Sequence, residues 1–241
     1  MHRFYAPDIE RTLTLPDEEA RHCVRVLRLT EGDSIEVTDG KGNRFLCEIT
    51  IANAKNCMVN ILEKKQEPTH WGCLLALAVA PTKNLDRMEW MTEKVTEMGI
   101  DEITPMLCDN SERRVLKTER LKKIAVSAMK QSLKCQLPVV NELTAFEKII
   151  ATKFSGQKFI AYCDPALPRS ERREMAKEYV AGSNAMILIG PEGDFSPLEV
   201  QQALNAGFIP VSLGQSRLRT ETAAVMACAM WHTLTLNQTK V

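Results

Sequence analysis

Hydrophobic and polar positions change their spacing once along this chain. Over the first sixty or so residues they alternate in short runs. Ser34 to Thr38, Phe45 to Ile51 and Cys57 to Leu62 each place apolar residues at every second position, the period of a half-buried strand. Asp39-Gly-Lys-Gly-Asn43 lies between the first two runs, and its glycines can supply the positive φ of a tight hairpin. Ahead of them, Asp17 to Leu27 has the spacing of a short helix with Asp17 near its start. Short strands joined by tight turns predict a small β-barrel. Lys64 to His70 is polar and contains Pro68, which sets a boundary between residues 1–68 and 72–241.

Beyond that boundary, buried-type strands alternate with helices, the pattern of an α/β domain with a largely parallel sheet. Cys73 to Ala80 reads as a strand. Leu85 to Met98 reads as a helix with Leu85, Met88, Met91, Val95 and Met98 on one face and Gly99 as its stop. A strand from Ile103 to Leu107 follows. A helix from Thr118 turns Leu121, Ile124, Ala125 and Ala128 inward. Thr144-x-x-Glu147 predicts another capped helix. Lys158 to Cys163 is a strand, and Ser170 opens a charged helix.

Ala185 to Ile189 is a strand that runs into the turn Gly190-Pro-Glu-Gly193. Ser196, Pro197 and Glu199 then form N-cap, first helical residue and capping-box partner of a helix reaching Ala206 and stopping at Gly207. The plan repeats in Phe208 to Leu213, Gly214, a polar loop and a helix from about Thr222. Two such strand-to-helix turns can form a crevice at the carboxyl ends of a sheet, where open α/β sheets bind ligands. The plainer alternative is a pair of tight turns.

Composition narrows the classes. The chain has 241 residues, 44% of them hydrophobic, and Lys plus Arg equal Asp plus Glu at 31 each, so net charge alone names no partner. Eight cysteines make no Cys-x-x-Cys and four histidines make no His-Glu-x-x-His, so no metal site is expected. Several cysteines sit inside apolar runs, as reduced core thiols of a cytoplasmic protein would. The start has no apolar signal segment, and the longest apolar stretches fall well short of the roughly 20 residues that span a bilayer. No glycine-rich dinucleotide turn, Walker loop or nucleophile elbow is present.

Charge is uneven locally. Asn110 to Lys134 carries eight basic and two acidic residues. That favours a polyanion contact over a merely solvated face. Arg3, His22, Arg25, Arg28 and Arg44 punctuate the N-terminal region, either as surface charge or as phosphate contacts.

Gly190-Pro-Glu-Gly193, Leu213-Gly214 and Leu218-Arg-Thr-Glu-Thr-Ala223 together resemble the SPOUT-class methyltransferases of the RsmE type. The likeness extends over nearly the whole chain. Met1-His-Arg-Phe-Tyr5, His22-Cys-Val-Arg-Val-Leu-Arg28 and Gly32-Asp33 are similar to that family's PUA-like barrel. Glu93-Lys94, Glu97, Gly99, Ile103-Thr-Pro105 and Gln131-Ser132 are similar to its catalytic domain. The resemblance implies a PUA-like β-barrel followed by an α/β domain with a deep trefoil knot, and a cytoplasmic homodimer. It also implies S-adenosylmethionine-dependent methylation of uridine N3 in small-subunit (16S) ribosomal RNA.

By position, the family's cofactor loops fall after Tyr162-Cys163, at Leu188, Ile189, Gly190, Pro191, Glu192 and Gly193, and at Leu213, Gly214 and Leu218 with Thr222 and Ala223. Arg3, Arg25, Arg28, Arg113, Arg114, Lys130 and Gln131 are the expected RNA contacts. Two positions depart from the family: Asp194 stands where a second glycine is usual, and Ser216 where an arginine is common, with Arg217 following. Arg219 and Glu221, flanking Thr220 in the expected loop, are the candidate catalytic pair. A SPOUT enzyme modifying ribose or another base, and a non-catalytic RNA-binding assembly factor, are the rival readings.

Overall fold

The computed structural model describes residues 2–68, 72–162 and 172–236. The chain divides into two units: residues 1–70 with 126–137, and residues 71–125 with 138–241.

The first unit is built on a four-stranded sheet of Arg3–Tyr5 (β1), Ser34–Thr38 (β2), Asn43–Ile51 (β3) and Met58–Gln66 (β4), in that order. β1 pairs with β2 in parallel, and the other pairs are antiparallel. Period-two alternation buries Ile35, Val37, Phe45, Cys47 and Ile49, which form one core with Phe4, Ala20 and Cys23. β4 runs further than its hydrophobicity suggests. Lys64, Lys65 and Gln66, read as a linker, pair with Phe45, Arg44 and Asn43, so backbone hydrogen bonds extend the strand past its apolar stretch.

Ile9–Thr12 (α1) and Asp17–Arg21 (α2) precede β2. The expected helix does not stay regular: after α2 the chain widens into a π-helical turn, His22–Val26, and reaches Arg28 in left-handed conformation at φ 56. Residues 126–137 complete this unit. Gly42 N–H donates to Cys135 O at 2.9 Å and Leu137 N–H to Gly40 O at 2.9 Å, so the hairpin turn doubles as a docking edge.

The second unit has Leu75–Val79 (β5), Glu102–Leu107 (β6), Val139–Val140 (β7), Gln157–Ala161 (β9), Ala185–Ile189 (β10) and Ile209–Val211 (β11) in one sheet. Its order is β11-β9-β10-β5-β6-β7, every pair parallel, with Thr144–Ala145 (β8) beside β6. The helices here are Leu85–Met98 (α3), the first half of Glu119–Gln131 (α4), Phe146–Ile150 (α5), Met175–Glu178 (α6), Pro197–Asn205 (α7) and Thr220–Leu236 (α8).

Both faces of the parallel sheet are covered, as such sheets require. Ala76, Ala78, Met186 and Leu188 pack with Phe146, Ile149, Val200 and Ala203 of α5 and α7. α8 lies over β5 and β10 and packs along α3.

α3 begins and ends where its spacing predicts: Asn84 caps it and Gly99 closes it at φ 91. α7 carries the full capping box of Ser196 and Glu199. Three expectations shift. Thr144 bonds the carbonyl of Glu142 instead of capping, because β8 occupies it and α5 starts at Phe146. Phe208 and Leu213 flank β11 rather than belonging to it. The last helix begins at Thr220, two residues early, where the Thr220 hydroxyl donates to Gly190 O at 3.0 Å and Ala223 N–H to Arg219 O at 2.8 Å. Cys163 and Ser170 lie outside the described residues. No helix among the described residues is long and apolar enough to cross a membrane.

Candidate functional site

Three neighbouring strands end together. Ile189 of β10 and Val211 of β11 are each in register with Ala161 of β9, and all three residues line a cavity of about 300 Å³. The site thus sits at the carboxyl ends of parallel strands, where the chain has reversed direction across the sheet. The two turns singled out in the sequence are not on adjacent strands; β9 separates them. They still meet, because the Thr220 hydroxyl ties the start of α8 to the carbonyl of Gly190.

Of the expected cofactor residues, Ile189, Gly190, Pro191, Glu192, Leu213, Gly214, Leu218 and Ala223 line the cavity. Tyr162, Leu188, Gly193 and Thr222 do not; Leu188 is fully buried in the sheet core and Tyr162 packs against the same cluster. Arg172, Asp194, Gln215, Ser216, Arg217 and Thr220, outside that named set, line it as well. Strand register would have found Ala161 and Val211, but register is not written in either strand alone.

The glycines serve packing as much as access. A Cβ on Gly190 would stand 3.0 Å from the Phe195 ring, and one on Gly193 3.3 Å from the Cβ of Asn110. Asn110 also donates to the carbonyls of Gly193 and Asp194 at 3.3 and 3.0 Å, so the turn is clamped from outside the cavity. Gly214 is different: nothing crowds it, and its φ of 121 is what requires glycine.

The wall is apolar on the strand side and charged toward the loops. Glu192 accepts the Lys83 N–H at 3.1 Å. Asp194 is left-handed at φ 62 and accepts the Phe195 N–H at 2.8 Å; partial desolvation of its carboxyl raises the pKa, against the pull of that hydrogen bond. Apolar walls, exposed turn backbone, two carboxylates and two guanidiniums suit a zwitterionic nucleoside of S-adenosylmethionine type. The volume lies at the low end for ligand clefts.

Arg219 and Glu221 do not line the cavity, although Leu218 and Thr220 beside them do. Arg219 is exposed just before α8. Glu221 is buried in its first turn, 3.7 Å from Arg87 of α3.

The expected RNA contacts fall into two groups. The Arg3 side chain is only 7% exposed and pairs with Glu36 at 2.8 Å, while its other terminal nitrogen meets the carbonyl of Leu133. Lys130 pairs with Glu19, and Arg113 donates to the carbonyls of Thr82 and Lys83 at 3.2 and 2.6 Å. These three charges are engaged in holding the fold. Arg25, Arg28, Arg114 and Gln131 are exposed. Cys23, Cys47, Cys57, Cys108, Cys135 and Cys228 are buried free thiols, and burial pushes those of Cys23 and Cys228 up to about 12.

The chain is similar to several known proteins. A family model described as the RNA methyltransferase domain matches residues 69–232, and one described as the RNA methyltransferase PUA domain matches residues 15–62. A solved structure described as a probable rRNA-methyltransferase from Porphyromonas gingivalis is 47% identical, with a TM-score of 0.93, over 99% of this chain and 100% of that one. A ribosomal RNA small subunit methyltransferase E from Neisseria gonorrhoeae, solved bound to S-adenosyl methionine, is 28% identical with a TM-score of 0.82, covering 97% and 98% of the two chains. A protein of the same name from Bacillus subtilis is 26% identical over 90% of this chain and 88% of its own.

Proposed function

Because the chain belongs to the RNA methyltransferase family, we propose that its cavity holds S-adenosylmethionine and serves methyl transfer to ribosomal RNA. The protein is a methyltransferase that modifies N3 of a uridine in small-subunit ribosomal RNA. The cavity at the joined ends of β9, β10 and β11 carries this reading, since it has the size, walls and charges for the cofactor. When bound, S-adenosylmethionine supplies an electrophilic methyl group.

The rest is asked of the chain. Uridine N3–H is weakly acidic and the neutral nitrogen a poor nucleophile, so N3 must lose its proton as its lone pair forms the bond to carbon. Holding N3 in line with the methyl supplies much of such a rate. We assign Arg219 to the uracil oxygens, where a cation stabilises the developing anion. Its exposed place beside the cavity-lining Leu218 and Thr220 supports this. Glu221 either accepts the N3 proton or orients a cation, and its pairing with Arg87 favours the second.

Several finer features follow the family. On the strength of the two family matches, we infer that residues 1–68 form a PUA-like β-barrel and residues 72–241 the catalytic domain with a trefoil knot. Arg25, Arg28 and Arg114 contact RNA phosphates. The protein acts as a homodimer in the cytoplasm, in keeping with its free buried thiols.

The test is incubation with isotopically labelled S-adenosylmethionine and unmodified small subunits, followed by nucleoside mass spectrometry. Labelled 3-methyluridine is the expected product. Label on a ribose or on another base would move the reaction to a different target, and no label at all would leave an RNA-binding protein.

A further inference from the structure

Asp194 is the one described non-glycine residue of the cavity wall with a left-handed backbone. Asp accepts that conformation more readily than most residues, and a strained position in a ligand site invites a functional explanation. One of its carboxylate oxygens accepts the Phe195 N–H at 2.8 Å, which fixes the side chain. Among the described residues it forms no ion pair; the other acidic wall residue, Glu192, likewise accepts one backbone N–H, that of Lys83, but lacks the left-handed backbone that fixes Asp194. Arg172 and Arg217 also belong to the wall and can serve a ligand carboxylate. Asp194 therefore offers a fixed negative charge, with an oxygen to spare, to a cationic group of the ligand.

The methyl donor and its product differ in one charge. S-adenosylmethionine carries a sulfonium, and S-adenosylhomocysteine a neutral thioether. Their adenosine, ammonium and carboxylate are the same. In a cavity of about 300 Å³ every ligand atom lies within one Debye length, about 8–10 Å, of the wall charges, so screening by salt is incomplete. We propose that Asp194 reads this difference: its carboxylate favours the charged methyl donor over the neutral product, so that the spent cofactor leaves and the fresh one binds. The proposal rests on the reading of this cavity as the S-adenosylmethionine site.

The test is calorimetric binding of both ligands to the wild type, Asp194→Asn and Asp194→Gly, with thermal melts as the check on folding. Asparagine keeps an acceptor for the Phe195 N–H, and glycine adopts φ 62 without strain. Both variants should bind S-adenosylmethionine roughly five- to tenfold more weakly while S-adenosylhomocysteine changes by less than about twofold. Raising the salt should shrink the wild-type preference and leave the variants' unchanged. Equal losses for the two ligands would mean that Asp194 acts through the turn or the shared ammonium, and the proposal would fail. Unchanged affinities would overturn it as well. A folded wild type that binds neither ligand would remove the cofactor reading itself, so the two failures are distinguishable.

Discussion

Single side chains in this protein do work that their types do not announce. Glu36 is held between Arg3 and Arg44, each at 2.8 Å. Burial pushes its carboxyl up, but the hydrogen bonds and charges of the two arginines outweigh that and hold it below the usual range. A lowered folded pKa means that the pair's stabilisation is complete above the unfolded value of about 4.3 and is lost as pH falls through the folded one. Glu36→Gln should cost on the order of 1–3 kcal/mol in urea denaturation at neutral pH. The difference from wild type should narrow on acidification below about pH 4. Arg219 and Glu221 are tested by rate. Arg219→Ala should slow turnover at least about tenfold, roughly 1.4 kcal/mol of barrier, with S-adenosylmethionine binding retained. Glu221→Gln should also slow it; rescue at high pH marks a base, and none marks an orienting role through Arg87. Wild-type rates in both variants would send the assignment to Glu192, in the cavity wall.

Elements are where local rules held best. α3 and α7 are fixed by their caps, because a cap satisfies backbone groups within a few residues and needs no distant partner. Ser196 does more than cap: its hydroxyl also donates to Asp109 at 2.7 Å, joining α7 to the loop after β6. Ser196→Ala should therefore cost about 1–2 kcal/mol, the upper part of the usual range for a lost N-cap, as read by chemical denaturation. A cost near zero would mean that Glu199 alone holds the helix start. Thr144-x-x-Glu147 shows the opposite case. Its pattern is that of a capping box, yet β6 claims Thr144 and Ala145 as strand partners, and the tertiary pairing wins.

At the scale of the whole molecule, charge and association are the open properties. A basic segment of eight cations reads as one RNA surface, but Lys130 is paired and Arg113 is bound to carbonyls. Arg25→Ala with Arg28→Ala should weaken RNA binding and flatten its dependence on salt, by about 0.7 in log–log slope per lost phosphate contact to a single strand. Arg3→Ala should instead lower the melting temperature, since its guanidinium is buried against Glu36 and Leu133. α3 and α8 leave Trp90 and Met226 exposed, an apolar surface that a second copy would cover. Light scattering at micromolar concentration should give twice 27.1 kDa; a monomer would contradict the dimer.

The sequence alone determined what depends on near neighbours. The β10 strand, the turn after it, the caps of α3 and α7 and the change from period-two to helical spacing all follow from residues a few positions apart. The tertiary structure decided what depends on pairing across the chain. It placed β9 between β10 and β11, brought Ala161, Ile189 and Val211 into one register, and turned residues 126–137 back onto the hairpin at Gly40 and Gly42. It also settled which arginines are engaged internally and which are exposed, because a guanidinium's partner is chosen by distance in space. Strand order and ion pairing join residues tens of positions apart, and no local pattern encodes which of several equivalent partners each will meet.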